Sequence, residues 1–396
     1  MTQKVQNKKS FKQRKPKTTQ APKKTKKSSI NPEDLIQKAS ISEVKTIEVT
    51  TVYNEMNLNS ALKVNIAKMG FEKPTPIQDQ SIEKLVDGEN LIGIANTGTG
   101  KTGAFLIPII ENLLDNQKEQ FQSLIILPTR ELALQVYDEF KKLALNLKLT
   151  AGCFIGGTNI EKDIRSLKNR FDLIIGTPGR LLDLKNRKAL KLTAVEVLVL
   201  DEFDKMLDMG FIKDIRTIVN ELKYRKQTIL FSATNNPSQK SIIDELVTNP
   251  FLVEINKGNK TSKNVDQDII RIEEGQDKFK VLIDLLKDER FDKVILFMEM
   301  KHQANRLAKK LNNQGIKADQ IHGDKSQNYR VNALNKFKTG TIQVLVATDV
   351  AARGIDVSDV SLVINYELPK EYDTYIHRIG RTGRAGKTGH AITFID

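Results

Sequence analysis

The sequence predicts an α/β protein of two tandem domains, each built on a mainly parallel β-sheet flanked by helices. Short runs rich in Ile, Val and Leu alternate with longer segments in which apolar residues recur every three or four positions. This alternation is typical of buried parallel strands joined by amphipathic helices. The pattern stops at a polar stretch and then resumes. We therefore predict domains over residues 46–256 and 266–396, joined by a linker over residues 257–265.

The apolar runs identify the strands. Runs of four to eight apolar residues bounded by turn residues are typical of buried strands. Ligands of parallel sheets bind beyond the carboxyl ends of the strands, so we expect functional residues there and in the cleft between the domains. The predicted strands are 91–96, 123–129, 172–178, 197–202 and 228–234, a possible edge strand at 251–255, and 293–298, 317–323, 342–349, 361–367 and 390–395 in the second domain.

Positive charge is concentrated at the N-terminus. Residues 1–30 contain ten lysines plus Arg14 and no acidic residue, which leaves only +3 of the +14 net charge for the rest of the chain. The segment has too few apolar residues to form a core, so we predict a disordered basic tail over residues 1–45. Such an arm neutralises nucleic-acid phosphates without reading sequence. A tail that only improves solubility is the alternative.

Composition also limits the compartment. The sequence has no run of about 18 apolar residues and no apolar N-terminal segment, which argues against a membrane span and a secretory signal. The single cysteine, Cys153, cannot form an internal disulfide and suits a reducing environment. We expect a cytoplasmic monomer with no membrane contact, and a nucleus is equally compatible with the basic arm.

A phosphate-binding loop is indicated by "ANTGTGKT" (95–102), which lies between a predicted strand and a predicted helix. Its glycines let backbone N–H groups point at phosphate oxygens at a helix N-terminus. Lys101 is expected to reach the β and γ phosphates, and Thr102 to hold Mg²⁺. Ala95 replaces the first glycine of the strict pattern, so a Gly-rich turn with an incidental lysine is the alternative. The residues predicted to contact the nucleotide here are Thr97, Gly98, Thr99, Gly100, Lys101 and Thr102.

Three acids, Asp201, Glu202 and Asp204, follow the predicted strand that begins at Val197. Magnesium bound to a nucleotide needs only one or two carboxylates, which typically lie at the end of a neighbouring strand. We assign Asp201 to the metal, through water, and Glu202 to orienting or deprotonating the attacking water. Helix capping is the alternative for one acid, but it explains three acids poorly.

About ten short motifs follow one another along the chain. They are "GFEKPTPIQ" (70–78), "ANTGTGKT", "PTRELA" (128–133), "GG" (156–157), "TPGR" (177–180), "DEFD" (201–204), "SAT" (232–234), "HGDKSQNYR" (322–330), "VATDVAARGID" (346–356) and "HRIGRTGRAG" (377–386). Their order resembles that of the DEAD-box RNA helicases of superfamily 2, over residues 53 to 396. The resemblance implies two RecA-like domains, RNA-stimulated ATP hydrolysis, ATP and Mg²⁺ as cofactors, and RNA as the partner.

The resemblance assigns further residues to ATP. Gln78 is implied to read the adenine edge, because an amide offers both a donor and an acceptor, and Phe71 to stack on the ring. A glutamine that merely opens a helix is the alternative. Asp356 is implied at the ribose hydroxyls. Arg381 and Arg384 are implied to reach the γ-phosphate from the second domain, where a guanidinium stabilises charge on the transferring group; for either one, a surface ion pair is the alternative. The expected catalytic set is Lys101, Glu202, Arg381 and Arg384.

Coupling and RNA contacts complete the implied site. The "SAT" motif is expected to link hydrolysis to domain movement through a bond from Asp204 to Ser232 or Thr234, and His377 belongs to the same coupling set. RNA contacts in this family follow the backbone of a single strand. Discrimination against DNA depends on 2′-hydroxyl contacts that no motif specifies. The RNA-binding residues implied are Thr129, Arg130, Gly157, Thr177, Gly179, Arg180, Arg330, Thr348 and Gly354.

Phe203 and Tyr53 are among the residues that depart from the family pattern. Phe203 replaces the alanine of the acidic box, so we expect a pocket for its ring between the sheet and the following helix. Tyr53 places a hydroxyl near the adenine site where the family has Phe, with a small expected effect. The sequence ends just after its last predicted strand, so we expect any C-terminal specificity module to be missing or to have been removed.

The predicted activity is that of an ATP-dependent RNA helicase or RNA chaperone that separates short duplexes locally. An ATP-gated RNA clamp with little unwinding and a DNA-acting translocase of the same superfamily remain alternatives. The sequence leaves protein cofactors open.

Overall fold

The computed structural model describes residues 30–39, 49–96, 98–115, 121–234, 236–255, 264–352, 357, 359–383 and 388–396. Within these residues, two sheets of seven and six strands form, and every strand pairing within them is parallel. The predicted α/β architecture of two tandem domains is confirmed. None of the helices in these ranges is both long and apolar enough to cross a membrane.

The first sheet has the strand order β3-β4-β2-β5-β6-β1-β7. Its strands are β1 (Leu91–Ile94), β2 (Ser123–Ile126), β3 (Ala151–Phe154), β4 (Leu173–Gly176), β5 (Val197–Leu200), β6 (Gln227–Ser232) and β7 (Phe251–Glu254). The helices around it are α1 (Ser60–Lys68), α2 (Pro76–Val86), α3 (Lys101–Asp115), α4 (Arg130–Leu143), α5 (Ile160–Ser166), α6 (Pro178–Asn186), α7 (Phe203–Asp208), α8 (Ile212–Val219) and α9 (Lys240–Leu246), with a short 3₁₀ turn at Pro237–Gln239.

The second sheet has the strand order β10-β11-β9-β12-β13-β8. Its strands are β8 (Val265–Arg271), β9 (Val294–Phe297), β10 (Ala318–Ile321), β11 (Val344–Ala347), β12 (Leu362–Asn365) and β13 (Gly389–Ile395). Its helices are α10 (Lys278–Leu286), α11 (Lys301–Asn313), α12 (Gln327–Lys338), α13 (Asp349–Ala352) and α14 (Tyr372–Ile379).

Strand order brings the motifs of the first domain together. In the sheet, β6 lies between β5 and β1. Leu200 is level with Leu230, and Ile94 is level with Ser232. Because all three strands are parallel, the phosphate loop, the acidic box and "SAT" leave the sheet at the same edge. Buried apolar residues pack against both faces of the sheet and hold this edge in place.

The apolar runs missed two strands, β3 and β8, and both lie at sheet edges. Strand β3 is "AGCF", whose small residues weaken the apolar signal, and β8 is "VDQDIIR", in which acids alternate with other residues. Strand β7 does lie at an edge, as predicted. The linker was predicted to extend through residue 265, which instead begins β8; residues 256–263 lie outside the described ranges.

Residues 30–39 form a segment that we call the N-terminal strap. It contains a 3₁₀ turn at Pro32–Leu35, and Leu35 is fully buried in the core of the second domain. Gln37 and Gln267 on edge strand β8 exchange backbone hydrogen bonds of 3.0 and 2.8 Å. The predicted disordered tail is therefore wrong for residues 30–39, because an apolar anchor and an uncovered strand edge provide the burial that tail composition alone does not. Residues 1–29 and 40–48 of that prediction lie outside the described ranges.

Replacing Leu35 with Ala is expected to lower the free energy of unfolding by about 2–5 kcal/mol, because it removes a fully buried side chain. Urea unfolding followed by circular dichroism measures the change. Ile36→Ala is the matched control, since the neighbouring side chain is 50% exposed. Equal stability of the two variants would show that the strap contributes nothing to the core.

Candidate active site

The phosphate loop follows β1 and ends where α3 begins at Lys101. Gly98 and Gly100 have φ values of 83° and 95°, in the left-handed region that favours glycine. The Lys101 ammonium is buried and donates a 2.8 Å hydrogen bond to the carbonyl of Ala95, so it lies inside the curve of the loop. The loop is therefore curved around the Lys101 ammonium. Thr97 lies outside the described residues.

Gln78 is engaged on both sides of its amide. Its Oε1 accepts hydrogen bonds from the Thr75 backbone N–H and the Tyr53 hydroxyl, each at 2.7 Å, while Nε2 donates to the Gly100 carbonyl at 2.9 Å. The glutamine therefore caps α2, as the alternative interpretation holds, and also contacts the phosphate loop. Burial raises the pKa of the Tyr53 hydroxyl well above its ordinary value. The Phe71 ring is 46% exposed and open to a ligand.

Asp201 and Glu202 are adjacent and buried but differ in their electrostatic surroundings. Asp201 accepts a 2.8 Å hydrogen bond from the Glu202 N–H, and burial raises the pKa of its carboxyl to about 6. Burial alone would raise the pKa of Glu202 too, but the Lys205 and Lys101 charges outweigh it and lower that pKa. Neighbouring acids with opposite pKa shifts are suited to different roles.

The third acid contacts "SAT" differently from the prediction. Asp204 Oδ2 accepts a hydrogen bond from the Ala233 backbone N–H at 3.3 Å, and Oδ1 is buried with no partner among the described residues. The hydroxyl of Ser232 instead donates to the Thr234 carbonyl at 2.8 Å. The predicted bond from Asp204 to Ser232 or Thr234 is therefore wrong, because that hydroxyl satisfies a carbonyl in its own loop. The link between the two motifs runs through the intervening backbone.

Phe203 lies in the expected pocket. Its ring is fully buried in the apolar cluster that includes Leu200 of β5, Met206 of α7 and Ile215 of α8. The pocket between sheet and helices accommodates the ring while Asp204 stays within hydrogen-bonding distance of Ala233.

Replacing Phe203 with Ala is expected to destabilise the protein by about 3–5 kcal/mol, although alanine is the residue that the family pattern favours. The ring fills its pocket, so its removal leaves a cavity. Thermal or urea unfolding measures the effect, with Tyr224→Ala, at a residue 67% exposed, as control. A loss no greater than that of the control would mean that the surroundings collapse onto the smaller residue.

Arg381 of the second domain lies near the acidic box of the first domain. Arg381 is only 7% exposed, and its Nε donates a hydrogen bond to the His377 carbonyl at 3.4 Å. Arg381, His377 and Asp349 line a small cavity. Burial lowers the pKa of the Lys205 ammonium, and the charge of Arg381 lowers it further. The same charge helps to lower the pKa of Glu202 in the acidic box. The predicted Asp356 and Arg384 lie outside the described residues.

Two helix N-termini carry predicted RNA contacts. Thr129 caps α4 by accepting from the Leu132 N–H at 3.3 Å. Thr177 caps α6 by position, and its hydroxyl accepts from the Gly156 N–H at 3.4 Å. A Cβ added to Gly179 in the first turn of α6 would meet nothing within 4 Å, so this N-terminus is accessible. Helix N-termini of this kind favour anions.

Three arginines from the two domains converge beside these helices. Burial lowers the pKa of Arg130, and the positive charges of Arg330 and Arg180 lower it further. The Arg130 guanidinium lies against Gly157, where an added Cβ would be 2.1 Å from Nη1. Gly157 also has a φ of 80°, so both space and conformation favour glycine. An anion bound beside Arg130 would offset the burial and the neighbouring positive charges that lower its pKa.

Two of these arginines already have acidic partners. Arg180 forms a buried ion pair with Asp163 and donates to the Thr158 carbonyl at 2.8 Å. Arg330 of the second domain pairs with Glu131 of the first at 2.9 Å, and Gln327 donates to the other oxygen of that carboxylate at 3.0 Å. Glu131 therefore joins the domains.

Of the two remaining predicted RNA contacts, the structure describes only Thr348. Thr348 is 9% exposed, and its backbone N–H bonds the Ile321 carbonyl at 3.3 Å. Gly354 lies outside the described residues.

Four residues of the site were not predicted: Lys205, Glu131, Gln327 and Asp163. Glu131 and Gln327 lie inside motifs that the sequence displays, but their pairing depends on how the domains face each other. Lys205 could have been found from its position three residues after Glu202 at the start of a helix, a spacing at which side chains meet.

Two family models match the chain. A DEAD/DEAH box helicase model matches residues 75–242, and a helicase conserved C-terminal domain model matches residues 277–386. The ATP-dependent RNA helicase CshA of Listeria monocytogenes is 45% identical over 87% of this chain and 66% of its own length. The DEAD-box ATP-dependent RNA helicase CshA of Bacillus subtilis is 44% identical over 88% and 70%. The chain thus spans slightly less than two thirds of the Listeria protein.

Solved structures agree with the fold. Mss116p (NTE and C-tail double deletion) bound to ssRNA and AMP-PNP is 30% identical, with a TM-score of 0.79 over 88% of this chain and 75% of that one. S. cerevisiae Dbp5 bound to RNA and ADP BeF3 is 32% identical, with a TM-score of 0.76 over 87% and 89%. A DEAD box protein from Methanococcus jannaschii is 40% identical, with a TM-score of 0.51 over 88% and 94%.

Proposed function

Because the chain belongs to the DEAD/DEAH box helicase family, we propose that it is an ATP-dependent RNA helicase that hydrolyses ATP when its two domains close on one RNA strand. One observation carries the proposal: both halves of the site meet at a single domain interface. On one side the charge of Arg381 helps to lower the pKa of Glu202 in the acidic box, and on the other Arg330 pairs with Glu131 beside the arginine cluster. Closure would therefore complete the nucleotide and RNA sites together.

ATP would bind with its phosphates in the loop of Gly98 and Gly100 at the N-terminus of α3. Lys101 would exchange the Ala95 carbonyl for phosphate oxygens, which are stronger acceptors. Gln78 and Phe71 would hold adenine. Oε1 of Gln78 already accepts hydrogen bonds from the Tyr53 hydroxyl and the Thr75 N–H. A donor on adenine would therefore have to share this oxygen with them. Asp356 would contact the ribose.

Hydrolysis would use Glu202 as the group that takes a proton from the attacking water. Its Oε2 is buried and has no partner among the described residues, so one oxygen is available for that water. Arg381 and Arg384 would stabilise negative charge on the transferring phosphoryl group. Since these arginines come from the second domain, hydrolysis requires closure. Asp204 and Ala233, together with His377, would pass the change in the nucleotide to the interface.

Thr102 and Asp201 would hold Mg²⁺. Asp201 is one buried carboxylate close to the phosphate loop, which suits an ion that keeps several waters and needs one or two acidic ligands. The raised pKa of Asp201 also fits, because a bound cation would compensate the burial of its charge. When bound, Mg²⁺ neutralises charge on the phosphates.

RNA would lie across both domains and be held by its backbone. The α4 and α6 N-termini and Arg130 would bind phosphates from the first domain, and Arg330 from the second. Contacts of this kind fix the strand without reading its sequence. Because one chain supplies both sides of the cleft, we assign the activity to a monomer. The full set proposed for RNA is Thr129, Arg130, Gly157, Thr177, Gly179, Arg180, Arg330, Thr348 and Gly354.

The deciding experiment compares ATP hydrolysis in the presence of single-stranded RNA and DNA of identical sequence. We expect strong stimulation by RNA and little by DNA, and stimulation by DNA alone would overturn the proposal. Strand separation of a short RNA duplex is followed in the same reactions. Turnover without separation would identify an ATP-gated RNA clamp instead of a helicase.

A further inference from the structure

Lys205 is a buried lysine one turn after Glu202. Its Nζ lies 2.5 Å from Glu202 Oε1, and the two side chains are 4% and 5% exposed. Lysine is rarely buried without a charged partner, because its ammonium loses hydration. The Lys205–Glu202 pair is therefore a built contact inside the site and not a surface ion pair of small effect.

The backbone conformation of Glu202 indicates that this contact has a function. Glu202 has a φ of 52°, a left-handed conformation unusual for a residue with a side chain, and it stands just before α7. Strained backbone of this kind occurs at functional sites where surrounding contacts maintain it. The Lys205 ammonium is such a contact, since it fixes the far end of the same side chain.

The two carboxylate oxygens of Glu202 differ in their hydrogen bonding. Oε1 is held by Lys205, whereas Oε2 is buried and has no partner among the residues that the structure describes. Fixing one oxygen limits rotation of the carboxylate and so fixes the direction of the other. A base that must accept a proton from one bound water gains from a fixed direction, because proton transfer needs hydrogen-bond geometry.

We propose that Lys205 is a positioning residue for hydrolysis: it holds Oε1 of Glu202 so that Oε2 stays directed at the attacking water. This inference rests on the proposed ATP hydrolysis. In this role Lys205 acts through Glu202 and makes no contact of its own with substrate or phosphate. Its contribution should therefore affect turnover and leave the binding of ATP and RNA nearly unchanged.

The test uses three variants that separate the hydrogen bond from the charge. Lys205→Met keeps an unbranched side chain without a donor, Lys205→Arg keeps charge and donors, and Lys205→Gln keeps a neutral donor. For each, kcat and KM for ATP are measured at saturating RNA, together with the melting temperature. Lys141→Met is the matched control, because Lys141 also pairs with an acid three residues earlier, Asp138, but both side chains are more than half exposed.

We expect Lys205→Met to lower kcat by at least roughly tenfold with KM within about twofold of wild type, and at least one donor-retaining variant to recover most of that loss. The Lys141→Met control should behave as wild type. Lys205→Met with kcat within about twofold of wild type would overturn the inference. So would a loss of kcat that follows the melting temperature in all three variants regardless of the donor, since that marks a purely structural pair.

Measuring RNA-stimulated ATP hydrolysis by the wild-type protein distinguishes a failure of this inference from a failure of the proposed function. If wild-type protein shows no RNA-stimulated ATP hydrolysis, the proposed function fails and the role of Lys205 falls with it. If wild type hydrolyses ATP and Lys205→Met does so equally well, only the positioning role is wrong.

Discussion

Replacing Glu202 with Gln is expected to reduce RNA-stimulated ATP hydrolysis by about 10²- to 10⁴-fold while leaving ATP binding nearly unchanged. The amide has almost the same shape as the carboxylate but cannot take a proton from water. The phosphate loop, with Lys101 already turned into it, remains intact. Phosphate release measures turnover, and fluorescence titration with a labelled ATP analogue measures binding.

Glu196→Gln provides the control. Glu196 immediately precedes β5 at its opposite end, where it pairs with Lys226 at the surface, so the same chemical change is made far from the phosphate loop. Its turnover should equal that of wild type. Unchanged turnover in the Glu202 variant would show that another group activates the water.

Replacing Arg381 with Lys is expected to lower kcat by about 10³-fold, with little change in ATP affinity. A lysine keeps the positive charge but lacks the planar fork of donors that a guanidinium presents to phosphoryl oxygens. Because Arg381 comes from the second domain, the defect should appear only in the closed state. Single-turnover hydrolysis with saturating RNA therefore measures it most directly.

Arg290→Lys is the control for this change, since Arg290 lies in the same domain and pairs with Asp288 at the surface. A rate within about threefold of wild type is expected for it, because exposed pairs contribute little. If Arg381→Lys also retained its rate, charge alone would suffice, and the planar geometry of arginine would not explain the catalysis.

Much of the fold followed from the sequence, because a strand buried on both faces must be apolar along its length. The central strands β1, β2, β5 and β6 were found for that reason. Each predicted run extended beyond the last residue of the observed strand. The edge strands β3 and β8 escaped this reasoning, because an edge strand need not be apolar along its whole length.

Within the first domain the sequence predicted which motifs meet, but it did not predict which atoms bond or which residues pair between the domains. Parallel strands bring their motifs to one edge, so Lys101 and the acids had to be neighbours. The choice of Ala233 over Ser232 as partner for Asp204 depends on how a three-residue loop satisfies its own carbonyl. The pairing of Glu131 with Arg330 depends on how two domains face each other. Neither leaves a periodic signal in the sequence.

The N-terminal strap has a consequence for how the chain acquires its structure. Its contacts with β8 join residues 227 to 238 positions apart, with the entire first domain between them. During synthesis the strap emerges before the first domain, and its docking site on β8 follows only after about 10 to 50 seconds at ordinary elongation rates. The first domain can fold in that interval while Leu35 stays without its core. The second domain is therefore complete only when the strap meets β8, which is synthesised after the whole first domain.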